Sequence, residues 1–216
     1  MDTPVYGLSE AAHYLKIAPA TLRSWVVGRN YPINNGAGFF KPLIALQDYQ
    51  SKLSFNNLIE AYILRSLRQE HSVPIKAVRL AIEYAEKELK ISNLLLNKDL
   101  MTFAGNLFLQ EYGNLINLSK SGQIALKKAF QDHLRRIDWE GNIPSRIYPY
   151  IGRDNDKFIA IDPNLKFGRP IIIRKNISTS VIVERIDAGE SIPNIADDYE
   201  LRVDEIDMAV LYERAA

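Results

Sequence analysis

Residues 8–29 read LSEAAHYLKIAPATLRSWVVGR, with apolar positions at helical spacing interrupted once, at Lys16-Ile17-Ala18. Ala11, Ala12 and Leu15 share one face of a first helix, for which Ser9 is the expected cap and Leu8 the expected hydrophobic staple. Pro19 opens a second helix at the position where its missing N–H costs nothing. Leu22, Trp25 and Val26 form the inward face of that helix, which leaves Thr21, Arg23 and Ser24 outward or at its flank. The spacing predicts a helix-turn-helix whose second helix enters a DNA major groove. Spacing alone fits two helices of any small α domain equally well.

The pattern continues with turn signals, Asn34-Asn35-Gly36 and Gly36-Ala37-Gly38, before Phe39-Phe40 and then Lys41 to Ile44, a run expected to form the strand pair of a wing. Ser54 is placed to cap a long helix from 55 to about 71, with Phe55, Leu58, Ile59, Tyr62, Ile63 and Leu67 as a wide apolar stripe. A second long helix spans about 74–89, with Ile75, Val78, Ile82, Ala85 and Leu89 on one face. The period then shortens. Leu94-Leu95-Leu96 reads as a buried strand, and the runs 107–112 and 115–118 flank Gly113-Asn114 as a hairpin. A helix from 123 to about 136 carries Lys127, Lys128, Arg135 and Arg136, and residues 146–150 and 158–161 read as two more strands. The tail has a short strand at 171–173, then helices capped by Ser178 and Ser191 and a third from Val203. Its inward set is Val181, Ile182, Ile186, Ile192, Ile195, Ala196, Tyr199, Leu201, Ile206, Val210 and Leu211.

The class expected is therefore α+β, mainly helical. It divides into a winged helix-turn-helix head (1–53), a long helical pair suited to dimerisation (54–92), a small mixed α/β middle region (93–161) and a three-helix, helix-turn-helix-like tail (162–216). A single helix-turn-helix usually reads a half-site, which favours a homodimer.

Charge sharpens this division. The net charge of the 216 residues is +1. Residues 176–216 hold three arginines against ten carboxylates, a net −7, so the preceding 175 residues carry +8. A basic body can approach phosphate, whereas an acidic tail is repelled by it and seeks a basic partner. Arg23, with the hydroxyls of Thr21 and Ser24, suits phosphate or base contact, and Arg29 and Lys41 are candidate phosphate contacts or plain surface charge. With no cysteine and only three scattered histidines, no thiolate metal site, nucleophile–base pair or cofactor loop is expected. No basic leader or apolar run near the roughly 20 residues of a membrane span stands out, so a cytoplasmic, non-enzymatic protein is expected.

Two resemblances add to this reading. The pattern Y-x-L-S-E-A-A-x-Y-L-x-I-x-P-x-T-L-R-x-W, from Tyr6 to Trp25, resembles the winged-helix N-terminus of MerR-type regulators. That resemblance implies that Thr21, Arg23 and Trp25 lie at the DNA surface. Ala18 stands where the family has a capping serine, and Val26 where it has an acidic residue. The tail run G-R-P-x-I, I-S-T-x-x-I, A-G-E-S-x-x-x-I-A-x-D-Y and A-x-x-Y is similar to a small three-helix domain of bacterial antitoxins of the VapBC kind, whose toxin is a PIN-like ribonuclease. Together they imply a VapB-type antitoxin with a MerR-like head: operator DNA, a second copy and a toxin as partners, and autorepression as the regulatory output. The tail carboxylates Asp197, Asp198, Asp204 and Asp207 would mask a basic toxin face, and an arginine, Arg174 or Arg185 among the candidates, would enter the toxin's acidic site. A MerR-like regulator whose middle region senses a small molecule is the alternative.

Overall fold

The computed structural model describes residues 2–33, 36–46, 52–69, 75–88, 90, 94–96, 131, 134–149 and 157–215. The expected hairpin at 107–118 and nearly all of the basic helix at 123–136 lie outside these residues, as do the side chains of Leu67, Ala85 and Leu89. The described part is α+β with small antiparallel sheets.

Helices α1 (Leu8–Tyr14) and α2 (Pro19–Val26) meet at the expected corner. The start of α1 differs from expectation. Gly7 is the N-cap, and the Glu10 carboxylate reaches back to accept its N–H at 3.1 Å. Ser9 and Leu8 therefore lie inside the helix, because a carboxylate two residues into the first turn satisfies the orphan donor better than a hydroxyl placed one residue too late. The wing also comes earlier than expected. Strands β1 (Arg29–Ile33) and β2 (Gly36–Phe40) pair antiparallel, Arg29 opposite Phe40, and Lys41 to Ile44 form the return loop. Phe39 and Phe40 end β2, and residues 41–44 hold no further strand.

Helix α3 (Phe55–Gln69) is the centre of the molecule. Ser54 Oγ accepts the Asn57 N–H at 3.2 Å, so the expected cap is formed. Phe55, Leu58, Ile59, Ala61, Tyr62, Ile63 and Leu64 are all at most 1% exposed. A helix buried on so many sides is a core element, each large side chain contributing about 1.5–3 kcal/mol. Its apolar surface is used within the chain, against Leu22, Trp25, Ile44, Leu53, Val78, Leu95, Ile137 and Ile147. Helix α4 (Ile75–Glu88) buries Val78 but leaves Leu80 and Tyr84 exposed. Leu94–Leu96 is a 3-10 turn under α3, not a strand: three residues cannot reach a sheet partner there, and Leu95 fills a gap in the core.

A hairpin follows whose first strand is unforeseen in the sequence and whose second reaches the start of the strand expected at 146–150. Strands β3 (Ile137–Glu140) and β4 (Ile143–Ile147) join through Gly141-Asn142, and Ile147 bridges to Ile161 of the tail. Arg146 clasps Asp162 across that junction, with Nη2 at 2.8 Å and Nε at 3.1 Å from one carboxylate oxygen. The tail begins as a three-stranded sheet, β5 (Ile159–Ala160), β6 (Ile171–Ile172) and β7 (Ile177–Ser178), with β6 central. Helices α5 (Thr179–Asp187), α6 (Ile192–Tyr199) and α7 (Val203–Arg214) follow close to their expected positions, and Ser191 Oγ accepts the Asn194 N–H. Ile172, Ile182, Ile195, Ala196, Leu201, Ile206 and Ala209 form the tail's own core. Leu211 is a correction: it is 55% exposed, and its neighbour Tyr212 is fully buried instead.

Tyr212 is buried because the tail docks on the back of the head. Its hydroxyl donates to the Tyr14 carbonyl oxygen at 2.7 Å, and the Lys16 ammonium sits 4.2 Å from its ring centroid. His13 Nε2 lies 2.8 Å from Glu213 Oε2. Gly168, at φ +72°, lies against Tyr6; a Cβ there would meet the Tyr6 hydroxyl at 2.0 Å, so only glycine admits the contact.

Candidate nucleic-acid interface

The corner between α1 and α2 is set by burial of Leu15 and Ile17 on either side of Lys16, which takes the left-handed conformation, φ +52°. Leu22, Trp25 and Val26 then pin α2 to the core, and its opposite face is left to solvent. Arg23 is exposed on that face, and Thr21 and Ser24 are half-buried beside it. Ser24 Oγ donates to the Thr21 carbonyl at 2.7 Å, so its proton is used within the helix while its lone pairs can still accept. Trp25 is not at the surface. It is 2% exposed, and its carbonyl accepts the N–H groups of Leu43 (2.7 Å) and Ile44 (3.1 Å), which fastens the chain leaving the wing. An aromatic at that helical phase, beside Leu22 and Val26, points inward whatever a family motif implies.

The hairpin β1–β2 stands beside α2. Gly28, at φ +86°, makes the turn into it; a Cβ there would lie 2.4 Å from the Phe40 carbonyl. Tyr31 stacks on Phe40 with centroids 4.1 Å apart, and the Arg29 guanidinium lies 5.5 Å from the Phe40 ring centroid, which orients it along the hairpin base. Lys41 is exposed just past β2, and the Lys41 and Pro42 carbonyls accept from Arg79 of α4.

These elements enclose an open groove of about 500 Å³ lined by Ala20, Thr21, Arg23, Ser24, Trp25, Gly28, Arg29, Phe40, Leu43, Arg68, Ile75 and Arg79. Among the described residues it holds four arginines and no carboxylate. Arg23 and Arg29 were foreseen as contacts. Arg68 and Arg79 were not, because they come from α3 and α4 and reach the groove only through packing. The one trace in the sequence is that Arg68 falls off the apolar stripe of its helix.

The tail's candidate residues divide differently. Asp197 and Asp207 are exposed, and Asp198 and Asp204 are exposed but paired, with Arg185 at 2.7 Å and Arg202 at 3.1 Å. Neither candidate arginine projects freely. Arg174 makes a two-pronged contact with Glu205 (2.8 and 2.6 Å) and donates to the Glu200 carbonyl, and Arg185 clasps both Glu190 and Asp198. The hydrogen bonds from Arg174 hold the buried Glu205 carboxyl below its ordinary range. In the free chain both arginines thus bind the tail's own carboxylates. Among the described residues no cluster of three histidines, aspartates or glutamates could hold a metal ion, and no helix is long and apolar enough to cross a membrane.

Comparison with known proteins follows the same division. Residues 4–82 match a family model described as "Putative DNA-binding HTH domain", and residues 159–212 match one described as a protein of unknown function, DUF433. The first segment has nine lysines and arginines against four carboxylates, net +5; the second has six against ten, net −4. Over 225 aligned residues the chain is 27% identical to "Putative antitoxin VapB45" of Mycobacterium tuberculosis, covering 95% of this chain and 92% of that protein. The crystal structure of Rv2018 from Mycobacterium tuberculosis superposes with a TM-score of 0.70 at 23% identity, covering 97% of this chain and 99% of that one. The chain thus has the fold of Rv2018 and, along almost its whole length, sequence similarity to VapB45.

Proposed function

We propose that the chain is a non-enzymatic, cytoplasmic DNA-binding antitoxin that represses its own operator and neutralises a ribonuclease toxin of the PIN type. The observation that carries the DNA half is the groove in which α2, the wing, α3 and α4 bring Arg23, Arg29, Arg68 and Arg79 together, with no carboxylate among the described lining residues. In this reading α2 lies in the major groove as in MerR-type regulators. Thr21, Arg23 and Ser24 face base edges and the nearest phosphates, and Arg29 and Lys41 follow the backbone. Trp25 supports α2 from behind. Exposed Leu80 and Tyr84 on α4 supply apolar surface for a twin copy that reads the second half-site.

The toxin half draws on the similarity to VapB45 and on the exposed carboxylates of α6 and α7. Asp197, Asp198, Asp204 and Asp207 are repelled by phosphate and complement a basic ribonuclease face. Gel-shift titration at fixed salt, on DNA from upstream of the gene, tests the division of labour. Arg23→Ala weakens binding about tenfold or more, and Asp204→Ala leaves it within about twofold. Equal losses refute it. Co-expression with the neighbouring open reading frame tests the second half: that frame alone arrests growth, and this chain relieves the arrest. A harmless neighbour, or unrelieved arrest, removes the antitoxin reading.

A further inference from the structure

Between the α1–α2 corner and α3 lies a second, open cavity of about 220 Å³ lined by Lys16, Ile17, Ala18, Thr21, Trp25, Arg65 and Arg68. We infer that this cavity is an oxyanion site that takes a phosphate group through Lys16, Trp25 and Arg68, with the Thr21 hydroxyl beside them. Among the described residues the lining has three cationic side chains, one indole and one hydroxyl, and no carboxylate. Ammonium, guanidinium and indole groups are donors only. Trp25 is 2% exposed, yet its Nε1 reaches no acceptor among the described residues, and the buried Lys16 Nζ, which lies over the Tyr212 ring, has no hydrogen-bond acceptor among them either.

Burying a donor without an acceptor is unfavourable, and gathering buried donors with like charges around one space compounds the cost. The group complementary to such a space is negative, compact and acceptor-only, which describes a phosphate. The carboxylate closest in influence on Lys16 is Glu213, but it is engaged elsewhere, by His13 at 2.8 Å and by the Thr179 hydroxyl. Burial pushes the Lys16 amine below its ordinary value, and a bound anion would reverse that shift.

The cavity shares Thr21, Trp25 and Arg68 with the larger arginine groove, so its phosphate is either one from a DNA backbone or a free ion. The backbone source rests on the DNA-binding reading above; the free source does not.

The chain has two tryptophans, Trp25 and Trp139, which makes the indole N–H a direct probe with an internal reference. The full-length protein is labelled with 15N-tryptophan. In one arm sodium phosphate is titrated against chloride at constant ionic strength; in the other, the duplex from upstream of the gene is added without phosphate. The expected result is a saturable shift of the Trp25 indole signal in at least one arm, with Trp139 unmoved. Lys16→Gln and Arg68→Gln each weaken the midpoint about tenfold. A shift with phosphate identifies a free-ion site, and a shift with duplex alone identifies a backbone phosphate. No shift in either arm overturns the site even where gel shifts persist, as does an equal response to chloride, equal movement of Trp139, or unchanged midpoints in both variants. A phosphate shift without any gel shift refutes the DNA reading and leaves the site standing.

Discussion

Tyr212 is the sharpest test of how the tail meets the head. Its side chain is fully buried between α7 and α1, and its hydroxyl donates to the Tyr14 carbonyl at 2.7 Å. Tyr212→Phe keeps the ring and the Lys16 contact but leaves that carbonyl without this donor, a loss of about 1–2 kcal/mol. At roughly 2–4 °C per kcal/mol for a chain of this size, the melting temperature falls about 2–8 °C. Tyr212→Ala also opens a cavity at a packed seam, which costs about 3–5 kcal/mol and lowers the melt by about 10 °C or more. Leu211→Ala, one residue earlier on the same helix but 55% exposed, is the control and moves it by less than about 1 °C. Thermal unfolding followed by circular dichroism at neutral pH reads all three. If Tyr212→Ala melts within 2 °C of wild type, or if Leu211→Ala costs as much, α7 does not dock on α1 as described.

Gly28→Ala forces a Cβ to within 2.4 Å of the Phe40 carbonyl at a φ of +86°, so it disrupts the wing base. Affinity for upstream DNA falls about tenfold or more, while Gly7→Ala, at φ −64° with nothing closer than 4.0 Å, leaves both affinity and melt near wild type. Glu205 gives a pH signature. Its folded pKa is depressed by Arg174 and by the Arg202 N–H, so its stabilisation is complete above the ordinary carboxyl value of 4.5 and is lost as pH falls through the lower folded value. Glu205→Gln therefore melts below wild type at pH 7, and the gap narrows below pH 4.5; a gap that stays constant into acid refutes the ion pair as its source.

Much of the architecture was legible locally. Pro19 at the start of α2, Ser54 before α3, Ser191 before α6 and Gly189 after α5 act through their own backbone neighbours, so their effect needs no tertiary partner. The hairpin at Gly141-Asn142 carries the same dipeptide as the turn expected at 113–114, but its strands lack the matching pattern. The Pro144 and Arg146 that follow break the alternation a strand normally shows, and a bulge at Asp138/Trp139 shifts the register.

What the sequence by itself determined is the order of helices, the inward phase of α2 and α3, and the opposition of a basic front to an acidic tail. Those follow from periodicity and from charge, which is additive along the chain. Only the tertiary structure decided which charges are available. Arg174 and Arg185 pair with neighbouring carboxylates, Trp25 is a buried support, and Arg68 and Arg79 join the arginine-lined groove from helices that carry no motif. The physical reason is that an arginine's role depends on what lies within a few ångströms of its guanidinium, and those neighbours come from residues tens or hundreds of positions away.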